Sequence, residues 1–164
     1  MKKFDWTQFT RKMHIDAPIQ KIYDAWTKPE EIERWFLKQA CYFDKEEKQL
    51  SNNNPITVGL RYEWDWYLYD ITEKGKILLA NQKDHIQFTF AGNCIVDVTL
   101  KEFENGTIVT LNHKDIPTDE DSKYNIRLGC DSGWSFFLVN LKSVYEGGLD
   151  LRNKNPNLKP MLNN

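Results

Sequence analysis

The sequence predicts an α+β domain on three observations. Several segments alternate apolar and polar residues, as strands with one wet face do. Two short helical stretches follow the first of them, and one long amphipathic stretch closes the series. A helix of that length with one apolar stripe must bury it, and the concave face of a curved antiparallel sheet is the surface available. The 164 residues suffice for one domain with a real core. That domain is expected over residues 1–152, followed by a loose polar tail at 153–164.

Residues 9–16 read as the first strand, with Met13 and Ile15 on one side. Pro18 suits the first turn of a helix, where its missing N–H costs nothing. Ile19, Ile22, Tyr23 and Trp26 follow at i, i+3, i+4 and i+7 as one stripe. Pro29 ends that helix and starts another, with Glu30 and Glu31 near its positive end. Ile32, Trp35 and Phe36 supply the second helix's buried face.

Residues 37–43 are a second strand, and the charged, Asn-rich residues 45–55 are a loop. Over residues 60–70, Tyr62, Trp64, Trp66 and Leu68 share one parity and Arg61, Glu63 and Asp65 the other. Gly75 is expected to mark a turn, with the next strand at residues 76–80. Residues 85–90 alternate again, and Ala91-Gly92-Asn93 is a turn. Cys94, Val96, Val98 and Leu100 form the inward set of another strand. Asn105-Gly106 is the strongest hairpin signal, with Val109, Leu111 and His113 on the partner strand. Thr118-Asp119-Glu120-Asp121 offers a helix cap with acid in the first turn. The helix that follows is expected to reach about Gly147, with Cys130, Trp134, Phe137, Leu138, Leu141, Val144 and Tyr145 on one face.

Composition narrows the function classes. Hydrophobic residues make up 40% and charged residues 28%, as in a folded domain rather than a disordered one. The net charge of -2 and the scattered basic residues provide no field for nucleic acid. No apolar run approaches a membrane span, and Lys2-Lys3 is not followed by the apolar core of a signal peptide. Three widely spaced cysteines do not suit a disulfide scaffold, so a reducing cytoplasm is the expected location.

Three motifs together resemble a known family. Ile15-x-Ala17-Pro18, Trp26, Pro29-Glu30 and Trp35-Phe36 resemble the opening signature of START-like helix-grip proteins. The subgroup is that of the C-terminal domain of Hsp90-ATPase activators. Gly106-Thr107, Leu111 and His113 are similar to its Gly-Thr strand ending in histidine. Gly133-Trp134 through Leu138 and Leu141 is similar to its closing helix. The resemblance spans roughly residues 10–150 and implies a curved sheet gripping the terminal helix with an apolar cavity between them. Members bind lipids, polyketides, hormones or other hydrophobic molecules; some are enzymes and some assist a chaperone. The full-length chaperone activator carries a separate N-terminal domain, whereas fewer than ten residues precede the first strand here. That departure speaks against direct stimulation of a chaperone ATPase.

Candidate chemistry is sparse. His14, His85 and His113 have no ligand spacing among themselves or with the cysteines, so neither a metal site nor a cofactor is expected. No phosphate loop or nucleophile elbow occurs, so no catalytic residue is assigned. His113 points inward by parity, towards the cavity mouth. It is either a core histidine hydrogen-bonded to a neighbour or a polar anchor, or general acid/base, for a ligand. Arg127, seven residues before Trp134, falls on the inward face. Its charge must snorkel out, pair with a carboxylate such as Glu63 or Asp65, or meet an anionic ligand group.

The candidate ligand-binding residues are therefore Trp35, Trp64, Trp66, Phe88, Phe90, His113, Arg127, Trp134, Phe137, Leu138 and Leu141. Their rings either fill the cavity or line it. Open, the domain binds a small hydrophobic molecule; filled, it is a chaperone-associated interaction module; with a second polar group beside His113, it is a cyclase- or hydratase-like enzyme. Phe136 and Val139, on the opposite side of the helix, are a candidate homodimer contact. The cysteines read as inert small hydrophobes.

Overall fold

The computed structural model describes residues 4–164. Strand β1 (Phe9–Ile15) leads into helix α1 (Ile19–Thr27), then α2 (Pro29–Ile32). Six strands follow: β2 (Gln39–Phe43), β3 (Arg61–Asp65), β4 (Thr72–Ala80), β5 (His85–Phe90), β6 (Cys94–Phe103) and β7 (Gly106–Lys114). Terminal helical segments are α3 (Glu120–Ser122), a π-helical turn (Lys123–Leu128) and α4 (Gly129–Glu146). The seven strands form one antiparallel sheet in the order β1-β7-β6-β5-β4-β3-β2. This is the START-like helix-grip architecture.

The α1 stripe works as its spacing requires. Ile22, Tyr23 and Trp26 are buried, and Pro29 sits at the start of α2 as its fixed φ allows. Helix α2 is only one turn, so Trp35 and Phe36 lie in the turn beyond it. Trp35 donates from Nε1 to the Ala25 carbonyl at 2.9 Å and packs edge-on against Trp26. The terminal helix closes the concave face through Trp134, whose ring centroid is 4.9 Å from Phe36 and 5.3 Å from Phe90.

Three expectations about elements need correction. The strand expected over residues 60–70 ends at Asp65, where Lys38 returns its N–H to the Asp65 carbonyl, and Leu68 turns the chain at φ 66°. Gly75 is not a turn but an interior position of β4 opposite Tyr62. A Cβ there would lie 2.5 Å from the Tyr62 hydroxyl and 2.6 Å from Thr89 Oγ1, so the glycine admits a ring across the strand. The β6–β7 hairpin turns on Glu104 and Asn105 rather than on Asn105-Gly106. Gly106 pairs with Phe103, and a Cβ on it would meet the Ile15 carbonyl at 2.4 Å.

The closing helix is also not one regular α-helix. Asp119 caps it as expected, accepting from Ser122 N–H at 2.9 Å, but residues 123–128 are wound in π geometry. Arg127 is buried there all the same. Its partner is neither Glu63 nor Asp65 but Asp131, one turn on at 2.8 Å; its Nε also donates to the Asp5 carbonyl at 3.0 Å. The guanidinium lies over the rings of Phe4 and Phe9. No anionic ligand is needed to satisfy it. The polar end of the chain folds back: Asn153 N–H donates to the Asn163 carbonyl, and the Arg152 side chain is buried. Val139 is exposed and Phe136 half-buried beside Phe137. Among the described residues no helix is long and apolar enough to cross a membrane.

Candidate functional site

Most of the inward rings pack against one another. Tyr62 stacks on Trp64 with centroids 3.9 Å apart, and Trp64 meets Phe88 edge-on at 5.1 Å. Trp35, Trp64, Phe88, Leu138 and Leu141 are all buried in this core. Such contacts fill most of the space under the helix.

The filling stops at one end. A cavity of about 240 Å³ opens where the start of α4 passes over β4, β5 and the 66–71 loop. From the helix come Cys130, Gly133, Trp134 and Phe137, at i, i+3, i+4 and i+7. Phe90 enters from β5 and Phe36 from the turn after α2. Trp66, Tyr69 and Ile71 come from the loop, and Glu73 from β4. Gly133 is the reason for the gap on the helix side: a Cβ built there meets nothing within 4 Å. Tyr69 and Ile71 are more than half exposed and form the rim. An apolar cavity of 150 Å³ holds a benzene ring, so this volume suits a somewhat larger hydrophobe.

Glu73 is the one carboxyl in the lining, and no Lys, Arg or His accompanies it. The turn after β5 holds it: Ala91 and Gly92 both take positive φ, and the Ala91 N–H donates to Glu73 Oε1 at 2.7 Å. Burial raises the carboxyl above the usual range, and hydrogen bonds from Ala91 and Gly92 oppose that rise. The Cys130 thiol is pushed up to about 12, chiefly by burial.

Of the residues singled out from sequence, Trp66, Phe90, Trp134 and Phe137 line this cavity together. Trp35, Trp64, Phe88, Leu138 and Leu141 lie in the packed core behind it. Arg127 belongs to the separate cluster with Asp131 and Phe4. His113 is fully buried between Phe9 and Phe90, at centroid distances of 5.2 and 5.9 Å, rather than at the cavity mouth. Among the described residues neither of its ring nitrogens has a hydrogen-bond partner. Its pKa is lowered to about 4, by burial first and by Arg127 second. Among the described residues no three His, Cys, Asp or Glu side chains come together as a metal site needs.

Sequence reasoning missed Phe36, Tyr69, Ile71, Glu73, Cys130 and Gly133 as lining residues. Glu73 was findable. It shares the inward parity of β4 with Gly75 and the buried Ile77, against Lys74 and Lys76 outward. Reading Gly75 as a turn hid that parity. Nothing local marks Tyr69 and Ile71, which arrive through an irregular loop.

Solved structures share this fold. The Aha1 dimer from Colwellia psychrerythraea is 19% identical, over 86% of this chain and 97% of its own, with a TM-score of 0.66. SSP2350 from Staphylococcus saprophyticus is 23% identical, over 88% and 96%, with a TM-score of 0.68. DynU16, from the dynemicin biosynthetic locus, is 18% identical over 90% of this chain and 50% of its own, with a TM-score of 0.70. No curated protein sequence matches the chain. The family described as activator of Hsp90 ATPase homolog 1-like protein matches residues 16–146. The opening Ala-Pro segment, the Gly-Thr strand and the Gly-Trp helix all fall within that match, and the chain belongs to the activator of Hsp90 ATPase homolog 1-like family, with a START-like helix-grip fold.

Proposed function

We propose that this domain binds a small, mainly apolar molecule in the slot between the sheet and the start of α4. The carrying observation is the open, ring-lined cavity left where the terminal helix presents Gly133. Trp66, Phe90, Trp134 and Phe137 each pack on neighbouring rings, which favours a slot formed before any ligand arrives. The three cysteines are all unpaired, which fits a reducing cytoplasm.

A protein-interaction module of the chaperone-associated kind is the second reading. Tyr124, Leu128 and Val139 favour it, all exposed along the terminal helical segment. The cyclase- or hydratase-like reading needed a polar group beside His113 in an open pocket. His113 instead lies outside the slot with unpartnered nitrogens.

Gly133→Leu separates the first two readings. The new side chain enters open space, and replacing a helix-interior glycine favours the helix by about 1 kcal/mol. The variant is expected to fold at least as stably and to lose hydrophobe binding by about tenfold or more in native mass spectrometry. Undiminished binding would place the ligand elsewhere. An interaction module would instead keep its pull-down of the host chaperone in this variant, with no hydrophobe bound by either form.

A further inference from the structure

We propose that the slot selects hydrophobic molecules carrying a positive charge, such as arylalkyl amines and quaternary ammonium compounds, with Glu73 as counter-ion and the surrounding rings as a cage. This rests on the slot being the binding site.

The argument begins with strand parity. Inward positions of β4 are the places for apolar residues, and Ile77 obeys that rule. Glu73 breaks it by turning a carboxyl into a ring-lined cavity, which is unfavourable without a partner. The cationic neighbours do not supply one. Lys74 points to the outer face and pairs with Glu63 at 3.2 Å, while Arg61 pairs with the same Glu63. Among the described residues no ion pair includes Glu73.

What does hold Glu73 is the backbone amide of Ala91 in the turn after β5, at 2.7 Å. A carboxylate has about four acceptor sites, so capacity remains for a donor in the cavity. The rest of the wall is mainly aromatic: Trp66, Phe90, Trp134, Phe137 and Phe36 line it, with Tyr69 at the rim. Aromatic rings attract a cation and give a carboxylate nothing comparable. A fatty-acid head group would meet the Glu73 charge with no basic side chain in the lining. An ammonium would meet a counter-ion and ring faces together, in a site partly withdrawn from water where both act more strongly.

Four probes with one body and different heads test this: 4-phenylbutylamine, its trimethylammonium analogue, 4-phenylbutan-1-ol and 4-phenylbutanoate. Calorimetric titration at neutral pH is expected to rank both cations about tenfold tighter than the alcohol, with the carboxylate weakest. Glu73→Gln keeps an oxygen for the Ala91 N–H and removes the charge. In that variant the amine is expected to fall to within about twofold of the alcohol. Carboxylate binding equal to amine binding on the unaltered protein would overturn the selectivity and leave the slot in place. So would an amine advantage that survives Glu73→Gln. Failure of all four probes to bind would overturn the slot itself. The ranking on the unaltered protein decides the matter even where the variant folds poorly.

Discussion

Arg152→Ala is expected to lower the unfolding free energy by about 3–5 kcal/mol, the range for breaking a buried ion pair on one side. The guanidinium donates from Nη1 to the Leu37 carbonyl at 2.8 Å and from Nη2 to the Glu33 and Arg34 carbonyls at 2.9 and 3.0 Å. These carbonyls lie in the turn segment that follows α2. Its other edge grips Asp150 with two contacts of 2.8 Å. Burial works against charge on Asp150, but hydrogen bonds from Arg152 and Lys154 prevail and hold its carboxyl well below the usual range. Asn140 completes the clamp, donating to the Trp35 carbonyl at 2.6 Å and accepting from Leu151 N–H at 2.7 Å. The chain end thereby fixes the turn that carries Trp35 and Phe36, and Phe36 is a wall of the slot. Truncation leaves three carbonyls without their donor and Asp150 with only Lys154, Asn140 and a backbone amide. Urea unfolding at pH 7 measures the loss. A change below about 1 kcal/mol would show that the clamp is dispensable.

His113→Leu is expected to act in the opposite direction and to change the response to acid. The imidazole is neutral in the native protein because burial lowers its pKa to about 4, with Arg127 adding to that. The unfolded chain has an ordinary histidine near 6.5. Between those values the unfolded state binds the extra proton, so native stability falls as pH drops from about 6.5 to 4. The histidine's share of that fall is on the order of 3 kcal/mol, and it is absent above the upper value. The leucine variant lacks this share. It also removes two orphaned ring nitrogens from an apolar site, so it should equal or exceed the parent in stability at pH 7. Paired urea titrations at pH 4.5 and 7.5 read the difference. Equal acid sensitivity in the two proteins would show that His113 is not the group responsible.

Both residues show where sequence is legible and where it is not. Strand parity placed Trp64, Val98 and His113 inward because period 2 is strict in a sheet with one packed face. Helical spacing placed Trp134, Leu138 and Leu141 inward because a stripe at 3.6 residues per turn survives even the π turn before it. Glycines were harder. Gly75 and Gly106 read as turns, yet each clears space for a neighbour, Tyr62 in one case and the Ile15 backbone in the other. That reason lies across the sheet and leaves no local trace. Arg152 sits in a polar segment with no periodicity, and its importance comes from carbonyls more than a hundred residues away in sequence. The slot itself is an absence, produced by Gly133 opposite Glu73 and Phe90. An absence is visible only once the elements are packed.

The most direct test of the slot is a two-dimensional amide and indole NMR titration of the unaltered protein with 4-phenylbutylamine. The account predicts saturable shifts concentrated at Gly133, Cys130, Glu73, Ala91 and the Trp66 and Trp134 indoles. Shifts absent throughout, or gathered on the exposed side of the terminal helix around Tyr124 and Val139, would contradict it.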